Sequence, residues 1–142
     1  MPARPPVPEL QANPRILHTA LFAGAVFMTP LVIGLRLMFP VVDFPKAITG
    51  LRIAAVLAMF AQAAVVRLRR DRIAPLPPNG DENAWWNAHF VSAFLIWVMG
   101  ESVAVLGSLF FFISGDPLML AMIGGGLFLL FLSRPGRLME ES

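Results

Sequence analysis

The chain has 142 residues, 57% of them hydrophobic and only 14% charged, with a formal net charge of +2. Soluble domains run nearer half apolar and a quarter charged, so this composition points to a membrane protein rather than a soluble globule. The absence of cysteine excludes disulfide scaffolds, thiolate metal sites, haem attachment through CxxCH and cysteine nucleophiles. Ten arginines against nine acids leave no basic excess from which a nucleic-acid patch could form.

Residues 1–14, MPARPPVPELQANP, carry five prolines and no apolar periodicity, which predicts a disordered cytoplasmic arm. No small-residue cleavage pattern follows the first apolar run, so that run reads as a retained span and not a signal peptide. Four apolar segments come next, over about 16–39, 46–67, 88–113 and 117–133. A spanning helix needs about 20 apolar residues; the first three segments reach that length comfortably and the fourth barely. Each must be helical, because lipid offers no partners to open backbone groups. The fold class expected is therefore all-α, a polytopic membrane protein with four transmembrane helices in an up-down bundle over residues 15–134.

The connections are well punctuated. Pro40 and Pro45 bracket the first, and Pro45 suits the opening turn of the second helix. The longest, RLRRDRIAPLPPNGDENAWW, combines a proline cluster with Asn79-Gly80, and residues 71–83 are expected to lack order. Ser114-Gly115-Asp116-Pro117 predicts a tight turn in which Asp116 caps the fourth helix. Trp85 and Trp86 precede the third span, where an aromatic belt would anchor it. Residues 135–142 read as a cytoplasmic tail. Arg4, Arg15, Arg67, Arg69, Arg70, Arg72, Arg134 and Arg137 fall on one side, whereas only Arg36 and Lys46 flank the spans on the other. By the positive-inside rule both termini and the long loop are cytoplasmic, which predicts a multi-pass protein of the cell inner membrane.

Glu101 is the most informative residue, because it falls near the middle of the third span. A carboxylate there costs about 2.5 kcal/mol or more even on lenient insertion scales. It must be paired, watered or protonated, and with no basic residue at its depth the neutral acid is expected. It is the proton-binding candidate, weighed against a hydrogen-bonded residue that merely locks helix packing. Gln62, at a similar depth in the second span, is the expected partner, its amide answering both oxygens of the acid. Gly100, Ala104 and Ser108 recur every four residues beside Gly107, a small-residue face that lets another helix approach closely. That face, with Gly124-Gly125-Gly126 in the fourth span, serves packing within the bundle or contact with another chain. Arg52 is expected to snorkel outward with Arg36 or to meet Asp43. His18 and His89 read as interfacial anchors or as relays toward Glu101. The scattered methionines read as packing residues. Arg67, Arg69, Arg70 and Arg72 set topology and are candidates for anionic lipid headgroups.

The run from Gly100 to Gly107, with Glu101 followed six positions later by Gly107, resembles the carboxylate helix of the proteolipid (c) subunits of rotary ATPases. It also resembles small four-span bacterial membrane proteins whose third helix is proteolipid-like. The resemblance covers about fifteen residues and implies a helical hairpin with Glu101 as its proton-binding group. Ala47 to Val66 is alanine-rich where that family has glycine repeats, the cytoplasmic loop is far longer, and Ser102 stands where alanine is usual.

No HExxH, Walker loop, paired carboxylates or Ser/His/Asp set is present. The sequence thus predicts a non-enzymatic accessory subunit or assembly partner of a membrane complex, without cofactor or metal. The alternative is a proton- or ion-handling proteolipid-like protein. Its expected partners are the lipid bilayer and, through small-residue helix faces, itself or a larger membrane complex, and not nucleic acid.

Overall fold

The computed structural model describes residues 13–39 and 45–140, with the backbone alone at 45 and 46. Its regular elements are all helical: α1 (Pro14–Met38), α2 (Pro45–Arg70), α3 (Glu82–Ser114), α4 (Leu118–Leu132) and α5 (Pro135–Glu140). Three of them, α1, α2 and α3, are long and apolar enough to cross a membrane, whereas α4 is a shorter apolar helix. The proline-rich segment 1–12 and the connection containing Pro40 and Asp43 lie outside the described residues.

Each boundary has a local cause. Asn13 accepts a hydrogen bond from the Arg15 amide at 3.0 Å, and Pro14 opens α1 where its missing N–H costs nothing. Asp81 does the same for α3 through the Asn83 amide at 2.9 Å, with Glu82 in the positive first turn. This cap starts α3 well before the apolar run begins, so ENAWW, expected in the loop, is helical. Gly115 ends α3 in the left-handed conformation, φ 65°, that a side chain would strain.

α3 is the central element and packs most extensively on α4; α1 and α2 flank that pair and are barely in contact with each other. Arg15 at the start of α1 meets Glu82 at the start of α3 at 3.0 Å, so these two run the same way. α2 and α4 run the opposite way, since Arg52 near the start of α2 meets Asp116, and Ser133 beyond α4 meets Trp97. One end of the molecule therefore carries Arg36, Arg52 and Asp116, and the other carries the tryptophans.

At the tryptophan end the expectation of a disordered loop is overturned. Ile73 is buried, the Trp85 indole donates to the Ala74 carbonyl at 2.7 Å, and the Leu76 amide donates to the Met139 carbonyl at 3.0 Å. Residues 135–140 of the expected tail form α5, with Pro135 and Leu138 buried. Trp85 and Trp86 are buried core residues, stacked edge to face at 4.8 Å, and not an exposed belt. The apolar surface of both indoles is better hidden under the loop and α5 than left at an interface.

Candidate functional site

The small residues of α3 face α4. A Cβ on Gly107 would stand 2.8 Å from Met122 Cβ, and one on Gly100 would stand 2.9 Å from Leu130 Cγ. A Cβ on Gly126 would collide with the Gly100 carbonyl and lie 2.7 Å from the Ala104 nitrogen. Such backbone proximity is available only to glycine and lets dispersion contacts hold two helices that gain nothing from hydrophobic exclusion in lipid. Ser108, also buried, turns its hydroxyl back to the Ala104 carbonyl at 2.9 Å. The face is thus spent on packing inside the chain. Of the three consecutive glycines only Gly126 is at this seam; Gly124 has open space where a Cβ would be, and Gly125 is near Met59.

Glu101 leaves α3 on the side of α1. Its Oε1 is 3.8 Å from the position a Gly24 Cβ would take, an ordinary contact that places the carboxyl against α1 at Gly24. The residue is half-buried, and among the described residues no hydrogen bond or ion pair reaches it. At 1.5 Å per residue it lies about 20 Å from the Ser114 end of α3.

The expected pairing with Gln62 is not formed. Gln62 is buried on α2, and its Nε2 finds no acceptor among the described residues. Similar depth along two helices says nothing of direction around either. Glu101 turns toward α1, and α2 packs elsewhere on α3.

Arg52 points to the same outer end as Arg36, and its Nε donates to Asp116 Oδ2 at 2.6 Å, a partner the sequence did not suggest; Asp43 lies outside the described residues. Asp116 Oδ1 accepts the Leu118 amide at 3.1 Å, so one buried carboxylate caps α4, as the turn predicted, and fastens α2 to it. These bonds, first that from Arg52 and then that from Leu118, hold the Asp116 carboxyl below its ordinary value of 3.8. Arg36 also reaches this corner, for a Cβ on Gly115 would stand 2.7 Å from its guanidinium.

The histidines belong to the tryptophan end. His18 is buried with Nε2 2.8 Å from the Leu130 carbonyl, to which it donates, and its ring meets Trp97 edge-on at 5.1 Å. Trp97 donates to the Ser133 carbonyl at 2.7 Å. Both bonds answer carbonyls at or just past the end of α4, where no helical partner remains. His89 lies against the Trp85 ring at 4.8 Å. Neither histidine touches Glu101. Arg67, Arg69 and Arg70 close α2, where cations suit the negative helix end, and Arg72 follows them. Buried Met119 and Met122 fill the seam between α2, α3 and α4.

No protein-family model, curated protein or solved structure matches the chain.

Proposed function

We propose that the chain is a small multi-pass protein of the cell inner membrane, with four spans in an up-down bundle and both termini cytoplasmic. In this reading it has no enzymatic activity and serves as an accessory subunit or assembly partner of a membrane complex. The observation that carries it is Glu101, a half-buried carboxyl in mid-helix that no described residue pairs. Polar groups at that depth face protein, water or a functional partner, and the described residues leave this one unanswered. Arg15, Arg67, Arg69, Arg70, Arg72, Arg134 and Arg137 gather toward the tryptophan end, which supports placing that end in the cytoplasm.

The same carboxyl favours a second reading, proton or ion handling of the proteolipid kind, because no cation among the described residues pairs with it. Purification of the tagged chain in mild detergent, followed by native mass measurement, separates the two. An accessory subunit brings a second polypeptide in fixed stoichiometry; a proteolipid travels as a ring of its own copies and loses proton-linked function in Glu101→Gln. A solitary particle would refute both. Reporter fusions at Met139 and within residues 41–44 test the topology, and finding them on the same side would sink the four-span arrangement.

A further inference from the structure

The small-residue face that sequence alone offers to a partner is occupied by α4, so any docking surface lies elsewhere. The exposed seam where α1 and α3 meet at Gly24 has the required features. Its α1 side is Gly24, an exposed residue without a side chain, and Glu101 projects toward it without a hydrogen bond or ion pair among the described residues. Phe27 and Val105 extend the surface as exposed apolar side chains on the two helices.

Charge decides the occupant. Arg52 is engaged by Asp116 and Arg15 by Glu82, both at the ends of the molecule. Arg36 reaches Gly115 at one end, and Arg67 to Arg72, Arg134 and Arg137 belong to the other. A second copy of the chain would bring no described cation to the depth of Glu101. Within the hydrocarbon layer a peptide occupant must satisfy its own backbone, which means a helix. Resting on the accessory-subunit reading, we propose that the Gly24–Glu101 seam seats a transmembrane helix of another protein that carries a lysine or arginine near its middle. Gly24 lets that helix come close, and its cation completes the carboxylate.

The test uses the full chain in phosphatidylcholine vesicles with synthetic leucine–alanine helices bearing a central Lys, Arg or Leu as probes, association being read by energy transfer. The Lys and Arg probes are expected to bind about three- to tenfold more tightly than the Leu probe, within the range for polar contacts between membrane helices. Glu101→Gln should abolish that preference, Glu101→Asp should restore part of it, and Gly24→Leu should weaken binding of every probe by filling the seam. Equal binding of the Leu and Lys probes, or a preference that survives Glu101→Gln, overturns the proposal. So does energy transfer between labelled copies of the chain that depends on Glu101, since the seat would then belong to a second copy. A native complex indifferent to Glu101→Gln defeats this inference and leaves the accessory reading standing. Selective probe binding by a chain that purifies alone does the reverse.

Discussion

At the scale of single residues, Gln62 and Asp116 show opposite solutions to burying a polar group. Gln62 hides an amide nitrogen that no described residue accepts from, a condition that costs about 1–3 kcal/mol. Gln62→Met keeps much of the volume and removes the donor, so it should stabilise the fold by about 1 kcal/mol, measurable as a raised melting temperature in detergent; destabilisation would mean that the amide has a partner after all. Asp116 is fully used, by Arg52 and by the Leu118 amide. Its carboxyl is held below its ordinary value, so its contribution is complete above the unfolded-state value near 3.8 and is lost as pH falls through the lower folded-state value. Thermal stability of the parent should therefore drop on acidification below about pH 4 more steeply than that of Asp116→Asn, which is less stable at neutral pH. Parallel pH curves for the two proteins would contradict this.

Among elements, the α3–α4 seam makes a sharp contrast between neighbouring glycines. Gly126→Val must displace backbone at Gly100 and Ala104, an overpacking cost of about 1–3 kcal/mol. Gly124→Ala enters open space inside α4 and should raise stability by about 0.4–1 kcal/mol through the better helix former. Comparable melting temperatures for the two variants would mean that the helices are farther apart than described. The positions of α1 to α4 were legible in the sequence, since long apolar runs between prolines have few alternatives. The Gly100–Ala104–Gly107 face was legible too, as a surface that wants a close neighbour. Its neighbour was not, because spacing along one helix does not say which helix comes to it. The early start of α3 was signalled by Asp81-Glu82, an acidic cap and first turn concealed by the prolines before it. α5 was hidden because a short polar run shows its buried face only once Ile73 and the tryptophans are there to receive it. The Arg52–Asp116 pair spans 64 positions, and no local rule reaches across that distance.

For the whole molecule, the loop over 71–81, α5 and the indoles form one lid across the tryptophan end. Protease added from that side should cut the connection slowly in the parent and readily in Leu138→Asp, because Leu138 is buried in the same cluster. Rapid cutting of the parent would return the loop to the disordered state that its prolines suggest. α1 and α2 are joined through α3 and α4 and hardly at all to each other, so loosening the central pair should release both flanks together in one unfolding step.

In the four-span arrangement proposed above, the brevity of α4 has a consequence for the surrounding lipid. Fifteen helical residues span about 22 Å, against a hydrocarbon layer of about 30 Å. Neighbouring α1 and α2 match or exceed that thickness. Phe128 and Phe131 face outward from α4, so acyl chains along this flank must shorten or splay to meet them, while those beside α1 and α2 stand at full height. Such a lopsided imprint has an elastic cost that falls when the thin flank borders another protein or a thinner patch of bilayer. Where the chain settles in the plane of a membrane, and how it turns toward its neighbours, would then be decided in part by lipid deformation before any side chains touch.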